Sequence, residues 1–493
     1  MSISNKHKRK YFGTDGLRGH VGQHPLTPGF VTRLGYAAGV SLSRRASHPT
    51  FVIGRDTRQS GEMLQSALTT GLIASGATVV DLGVITTPGV AFMVKKMGAD
   101  AGVVISASHN PVGENGIKFF DADAFKLSCE IELEIEMLVD APIDLEGGGE
   151  SKFGRRIDGR DMRELYIDNL VEEHPVDLLG GIKLVLDCAN GAASWYAPEV
   201  FSRLGADFVV IHASPTGVNI NENAGSEHAR RQPEDLSGLI QKYDANFGVV
   251  FDGDADRVIF VDEAGHLVDG DHMLAIMADY FMSQGRLLAK TVVSTTMRNG
   301  ALVNYFKERG LHLVETPVGD KYIMAELREL MHTDHKRGQI GLGGEQSGHI
   351  ILMDENHGTG DGIRSAIYLI RAFLASGRER LVDLAESINK YPQVIASAVV
   401  AHKTDLDQLE SVKTLQEAIK DHFPGLVRMN LRYSGTEPKV RLMLESDNQH
   451  SEEALAGKAF ELCQAVQKAT GTPAGAFLEV LNVTRGGLVE PSN

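Results

Sequence analysis

One arrangement recurs three times along this chain and restricts its fold more than any other feature: a short apolar strand, a polar loop, a helical stretch, a glycine and a second strand. The first copy takes residues 51–53, 54–60, 62–74, Gly76 and 78–80. The second takes 183–186, 187–191, an apolar stretch ending at 200–204, Gly205 and 208–211. The third takes 291–293, 294–300, 302–308, Gly310 and 312–314. Each is the sequence form of a βαβ unit, whose crossover is right-handed because a twisted strand packs back onto its sheet only that way. After each copy a further apolar strand runs into a polar loop: 101–105 before SASHNP, 247–251 before DGDADR, and 340–342 before GGEQSGH.

The repeat predicts an α/β protein of three similar mixed-sheet domains. A strand-like stretch at 395–400, helical stretches at 406–422 and 452–467, and the segment 432–444 between them predict a smaller C-terminal α+β domain. The expected boundaries are 1–160 for domain I, 161–272 for domain II, 273–391 for domain III and 392–493 for domain IV. Linkers are placed at 140–159, with its run of three glycines, and near Tyr391 and Pro392. Residues from Arg485 onward are expected to fray.

Charge and cysteine usage narrow the function. The chain has 65 acidic and 49 basic residues, a formal charge of −16, which argues against sequence-independent binding to nucleic acid or to an anionic membrane. A local basic cluster can still hold a phosphorylated small molecule. Cys129, Cys188 and Cys463 form no C-x-x-C pair, so neither a disulfide framework nor a zinc knuckle is expected, and a reduced, cytoplasmic setting fits. The basic start of the chain leads into no apolar core, and no eighteen apolar residues run together. Neither a signal peptide nor a membrane span is expected.

The chemistry is read from the loops. In open α/β sheets ligands gather beyond the carboxyl ends of strands, so Ser106, Ser108, His109 and Asn110 are well placed to meet a substrate, although such residues also make ordinary turns. Asp252, Asp254 and Asp256 alternate with small residues, which in an extended segment turns three carboxylates to one side; together they demand a cation, and a hard ion such as Mg²⁺ suits oxygen ligands. A calcium EF-hand is excluded although Glu263 stands where its last ligand would, because the sixth position is Arg257 rather than glycine. Arg432, Ser434, Gly435, Thr436 and Arg441, in RYSGTEPKVR, are the parts of a phosphate clamp, with a solvated basic turn as the competing reading. The glycine-rich YFGTDGLRG places Arg18 where it can approach an anion. GGEQSGH offers donors and acceptors for a polyhydroxyl ligand. Lys118 can move protons if its pKa is lowered, and is otherwise the solvent-side residue of a strand.

In this order, YFGTDGLRG, ISASHNP, DGDADR, GEQSGH and RYSGTEP resemble the α-D-phosphohexomutase family, over nearly the whole span from Tyr11 to Glu445. GEQSGH is most similar to the bacterial branch acting on glucosamine phosphates; branches acting on mannose or glucose phosphates usually carry GEMSGH, so Gln346 points to the amino sugar. The resemblance implies a heart-shaped four-domain isomerase around a central cleft, which interconverts glucosamine 6-phosphate and glucosamine 1-phosphate through a phosphoserine and a sugar 1,6-bisphosphate. It implies that Ser108 carries the phosphoryl group and that one Mg²⁺ per subunit is held by Ser108, Asp252, Asp254 and Asp256. Arg18 and His109 would lie against the phosphate, Lys118 would be the general acid/base, and Arg257 would help hold the site together. Glu345 and Ser347 would bind sugar hydroxyls, Thr316 and Gly319 would belong to the loop that tells substrate orientations apart, and Arg432, Ser434, Gly435, Thr436 and Arg441 would bind the non-reacting phosphate.

A sugar 1,6-bisphosphate is the expected activator and a sugar phosphate the expected small-molecule partner, with neither nucleic acid nor membrane bound. The protein is expected as a monomer or a homodimer. Two departures from the family pattern stand out. Ala255 replaces a common glycine, harmless unless the backbone there needs a positive φ, and Ala224 lies where the family often has cysteine. The rival readings are the same chemistry on mannose or glucose phosphates, and a non-catalytic sugar-phosphate-binding protein. The second would not need every catalytic position filled, as they are here.

Overall fold

The computed structural model of the chain describes residues 9–13, 15–44, 46, 48–142, 153–334, 336–434 and 438–489. Its first sheet has the order Leu17–His20, Glu114–Asp121, Ala101–Ile105, Thr50–Arg55, Thr78–Val84, Arg156–Asp158. The second runs Leu267–Val268, Val258–Val261, Phe247–Phe251, Lys183–Asp187, Asp207–Ile211, and the third His312–Thr316, Leu287–Thr295, Ile340–Gly344, Ile350–Met353. In each, the first strand of the βαβ unit lies between two parallel neighbours, and the strand that follows the polar loop returns antiparallel. The threefold repeat of the sequence is therefore a threefold repeat of topology, and its sheets are mixed.

That topology decides where function can sit. SASHNP, DGDADR and GGEQSGH each lie at the carboxyl end of the equivalent strand, Ala101–Ile105, Phe247–Phe251 or Ile340–Gly344, and each of these strands is wholly buried. Strands buried on both faces read as continuous apolar runs, which is why these three were legible. One cluster of buried apolar side chains, including Phe92, Tyr166, Tyr196, Phe247, Phe281 and Phe306, is continuous across the first three sheets. The fourth unit has its own core around Val394, Leu442, Leu455 and Leu462. Its sheet is antiparallel throughout, in the order Leu426–Tyr433, Lys439–Ser446, Gln393–Val399, Leu478–Asn482. Among the described residues no helix is long and apolar enough to cross a membrane.

Two expectations are corrected. The expected linker 140–159 is not all linker: Arg156–Asp158 is a parallel edge strand on Thr78–Val84, tied by Arg156 to Asp81. Nor does the chain fray at Arg485. The Gly487 and Leu488 amides donate to the carbonyls of Arg230 and Arg231, at 2.8 and 3.2 Å, and the Leu267 amide donates to that of Arg485 at 3.1 Å, so this segment is fastened to the second unit.

Candidate functional site

The serine loop begins as Ala101–Ile105 ends. Ser108 is 1% exposed and has φ +53°, a left-handed conformation uncommon for a residue with a Cβ. Its Oγ donates to Asp252 Oδ2 at 2.5 Å and lies 3.3 Å from His109 Nδ1. Gly253 permits this approach, since a Cβ there would stand 2.6 Å from the Ser108 carbonyl oxygen.

What holds the loop is Arg58, a residue the sequence did not single out. Its guanidinium is fully buried and donates to the carbonyls of Ser108, Asn110, Pro111 and Glu114 at 2.6–3.0 Å, while its Nε pairs with Asp56 at 2.9 Å. Substituting Arg58→Met leaves the Asp56 carboxylate buried without its cation and removes a donor from all four carbonyls, of which those of Ser108 and Asn110 keep only Asn221 and that of Pro111 only the Glu114 amide. It is expected to cost about 3–5 kcal/mol of stability, read as the shift in a denaturant unfolding midpoint at unchanged slope. A loss below about 1 kcal/mol would show that the loop is held by other means.

The three aspartates sit on the turn between Phe247–Phe251 and Val258–Val261 and are all buried. Each offers a carboxylate oxygen within 4.8 Å of the others. Burial, with Asp256 and Asp254 alongside, raises the Asp252 carboxyl well above the ordinary carboxylate range. Oδ1 of Asp254 and Oδ1 of Asp256 are buried with no hydrogen-bond partner. An all-oxygen donor set, mutually repelling and with two unpartnered acceptors, fits a hard divalent cation. The turn closes through Ala255, whose φ of +56° is the condition under which alanine is strained where glycine is not. The alanine is therefore not neutral here.

A second acidic group, Glu173, Asp354 and His357, has the spacing of ligands but is closed by a side chain. Arg364 Nε donates to Glu173 at 3.0 Å and its Nη2 to Asp354, so a guanidinium already neutralises it.

Cations face the aspartates from the first unit. Lys118, 2% exposed, donates to Asp254 Oδ2 at 2.8 Å and to Asp256 Oδ2 at 3.3 Å, and lies 3.3 Å from Asp15. It is not the solvent-side lysine of a strand, because both faces of Glu114–Asp121 are covered. Burial lowers its pKa, but Asp15, Asp254 and Asp256 outweigh burial and hold the ammonium well above its ordinary value. The ammonium is therefore charged, and the lowered pKa that would make Lys118 a base is not what its surroundings produce. Thr87, at the start of helix Thr87–Met97, ties the metal loop to the first unit through a 2.6 Å bond from its hydroxyl to Asp254 Oδ2.

Arg18 pairs with Asp15, and its Nε is buried without an acceptor, as is Nε of Arg257. Arg257 Nη1 lies 3.0 Å from His109 Nδ1. Burial, with Arg257 and Arg18 nearby, pushes the His109 imidazole down to about 3, so it is neutral at neutral pH and can accept a hydrogen bond. Two guanidinium N–H groups without partners and a neutral imidazole, grouped beside a serine hydroxyl, suit an anion on that hydroxyl.

The third unit completes the wall. Glu345 accepts from the Gly319 amide at 3.2 Å, and both Glu345 and Ser347 are half-buried. Thr316 is buried, with its hydroxyl directed to the carbonyls of Ser294 and Pro317. It shapes its own loop. The sequence offered His349 only as the imidazole of GGEQSGH and gave no role to Asp320, Lys126 or Glu227. His349 lies 3.5 Å from both Asp256 and Asp320, and these carboxylates with Glu345 overcome burial and raise it to about 9. Lys126 bridges Asp15 and Asp320 at 2.6 Å each, joining the first unit to the third. No local motif marks Lys126, because its partners are more than a hundred residues away.

In the fourth unit Arg432 and Arg441 are direct cross-strand partners. Burial together with Arg441 lowers the Arg432 pKa. The Ser434 amide donates to the Lys439 carbonyl at 2.8 Å. Gly435 and Thr436 lie outside the described residues.

Comparison with known proteins follows this geometry. Residues 9–144 match the family model "Phosphoglucomutase/phosphomannomutase, alpha/beta/alpha domain I", residues 164–265 match domain II, residues 269–391 match domain III and residues 395–462 match the C-terminal domain. A phosphoglucosamine mutase of Geobacillus kaustophilus is 42% identical over 466 residues, covering 94% of this chain and 99% of that one. Among solved structures, a phosphoglucomutase/phosphomannomutase family protein from Burkholderia thailandensis has a TM-score of 0.71 at 24% identity, covering 94% of this chain and 98% of its own. Aspergillus fumigatus N-acetylphosphoglucosamine mutase, in complex with GlcNAc-6P and magnesium, has a TM-score of 0.62 at 18% identity, over 94% and 96% of the two chains.

Proposed function

The chain belongs to the phosphoglucomutase/phosphomannomutase family and is an isomerase, and from that premise we propose that it interconverts glucosamine 6-phosphate and glucosamine 1-phosphate through a phosphorylated Ser108 and a sugar 1,6-bisphosphate. The observation that carries the reading is the Ser108 hydroxyl, seated on Asp252 beside two carboxylates with unpartnered oxygens and beside Lys118. The choice of sugar rests on the phosphoglucosamine mutase relative, 42% identical along almost its whole length.

Asp252, Asp254, Asp256 and the phosphorylated Ser108 would hold one Mg²⁺ per subunit; the Aspergillus fumigatus relative was solved with magnesium. Bound there, the ion supplies positive charge that offsets the charge of the transferring group. Arg18, His109 and Arg257 hold the phosphoryl oxygens. In the first half-reaction the bond from phosphorus to Ser108 Oγ breaks as a bond from the sugar hydroxyl oxygen to phosphorus forms. The proton lost by that hydroxyl ends on Ser108 Oγ through Lys118, which donates its own proton to Oγ and takes the sugar's. The bisphosphate turns round, and the reverse steps return its other phosphoryl group to Ser108.

Glu345 and Ser347 hold the sugar hydroxyls, Thr316 and Gly319 shape the loop that meets either orientation, and Arg432, Ser434, Gly435, Thr436 and Arg441 grip the phosphate that does not react. Fixing that distal phosphate makes each transfer effectively intramolecular. Domain IV closes over the substrate and excludes water, which otherwise hydrolyses the phosphoserine. The product feeds synthesis of UDP-N-acetylglucosamine in the cytoplasm, and sugar 1,6-bisphosphate serves as activator.

The test is turnover with Mg²⁺ and a catalytic amount of sugar bisphosphate, comparing glucosamine 1-phosphate with glucose 1-phosphate and mannose 1-phosphate. The expected result is a kcat/KM at least about 100-fold higher for the amino sugar, the discrimination that a site hydrogen-bonded to one substituent can reach. A preference for glucose or mannose would overturn the substrate and keep the mechanism.

A further inference from the structure

Gln346 was the residue that pointed to the amino sugar, yet its side chain does not face Glu345 and Ser347. It is 5% exposed, and its Nε2 donates to Asp271 Oδ2 and to Gln393 Oε1, both at 2.7 Å. Gln393 is the first residue of the fourth unit's strand Gln393–Val399, and its Nε2 donates in turn to Glu445 at 3.0 Å. Glu445, fully buried, takes two bonds from Arg428 at 2.8 and 3.0 Å and one from the Gly300 amide at 3.0 Å. Arg428 donates back to the third unit, to the carbonyls of Thr296, at 2.8 Å, and Arg298. Asp271 also accepts from the Asn299 amide at 2.9 Å, and Asn299 bonds both backbone groups of Tyr391, where the chain passes between the two units.

The register shows what this network fixes. Arg428 stands opposite Glu445 and Arg432 opposite Arg441 on the same pair of strands. Residues four apart on a strand share a face, so the two arginines of the phosphate clamp lie on the same face as the anchored pair, roughly 13 Å along the strands. Whatever holds Glu445 and Arg428 sets the distance between the sugar loop and the clamp.

We propose that Gln346 is a positioning residue: it tethers the sugar loop to the hinge of the fourth unit through Gln393 and Glu445, and does not read the sugar's substituent. The proposal rests on the mutase reading for its kinetic consequence but not for its structural one. With its amide hydrogens taken by Asp271 and Gln393, the side chain of Gln346 has its orientation fixed by the tether, and its nitrogen has no hydrogen left for substrate; whether its oxygen meets the amino group is what the ratio of kcat/KM values below decides. The pivot at Tyr391 and Pro392, from which the arginine clamp swings, is thereby held against the sugar loop.

The test uses Gln346→Met, close in volume, with Gln393→Leu as the second variant and the double variant to close the cycle. Amide hydrogen exchange at Asn299, Gly300 and Tyr391 is expected to quicken at least tenfold in either single variant, with the strand Ala101–Ile105 unchanged. Kinetically, KM is expected to rise about tenfold for glucosamine 1-phosphate and for glucose 1-phosphate alike, with their kcat/KM ratio constant within about twofold. The double variant is expected to be no worse than the more damaged single one, as for residues acting through one another. A ratio that changes tenfold, additive losses, or unchanged exchange at the three amides would overturn the proposal. Absence of turnover in the unsubstituted enzyme would instead overturn the mutase reading, while the exchange result would still decide the tether.

Discussion

Replacing Ser108 by alanine is expected to lower turnover of glucosamine 1-phosphate by about 10⁴-fold or more, the scale of loss when a nucleophile is removed from a site whose other parts remain. The change is small in every other respect. It deletes one hydroxyl that bonds to Asp252, and it leaves intact the backbone bonds by which Arg58 and Asn221 hold the Ser108 carbonyl. The φ of +53° adds no new strain, since serine and alanine both carry a Cβ there. Stability is therefore expected to change by only about 1 kcal/mol, the usual worth of one hydrogen bond. Steady-state kinetics with thermal unfolding as a control check both halves. Activity surviving in a folded Ser108→Ala protein with no other residue phosphorylated would remove the phosphoserine from the mechanism.

The second large effect concerns the three aspartates. Chelation is expected to abolish turnover and Mg²⁺ to restore it, and Asp254→Asn is expected to lower kcat by about 10³-fold, some 4 kcal/mol of transition-state stabilisation. The geometry explains why an isosteric amide fails. Oδ2 of Asp254 accepts from Thr87 and Lys118, and Oδ1 is the buried oxygen without a partner. An asparagine that keeps its oxygen on Thr87 and Lys118 presents an NH₂ group to the cation. Mg²⁺ binding, followed as a concentration-dependent rise in Tm, gives a readout independent of catalysis. A variant that retains full activity and the full Mg²⁺ shift would show that the ion lies elsewhere.

The parts of this molecule that were legible in its sequence are those fixed by local pattern. Buried strands such as Phe247–Phe251 announce themselves as apolar runs, and the loops after them follow from the repeat. Helices Pro28–Ser43 and Asp320–Asp334 and the short strand Arg156–Asp158 were not anticipated. The strand is three residues on a sheet edge, too short to carry a period. In the site, the residues brought by motif (Ser108, Asp252, Asp254, Asp256, Lys118) do converge, but the groups that organise them were hidden. An arginine in a polar loop gives no local sign that it will be folded under four carbonyls, and burying a charge runs against its usual tendency. Lys126 and Asp320 meet only because the first and third units do. Gln346 shows the opposite failure: its identity was read, while the direction of its side chain depends on Asp271 and Gln393, which lie in other elements.

The most direct test of the account is to follow the phosphoryl group itself. Protein phosphorylated with labelled phosphate is mixed with unlabelled glucosamine 1-phosphate for a single turnover, and the peptide carrying Ser108 is weighed before and after. The account predicts that the label starts on Ser108, leaves to give labelled sugar phosphate, and is replaced on the same serine by an unlabelled group. Product formed while the label stays on Ser108, or a label found on another residue that turns over at the catalytic rate, would contradict it.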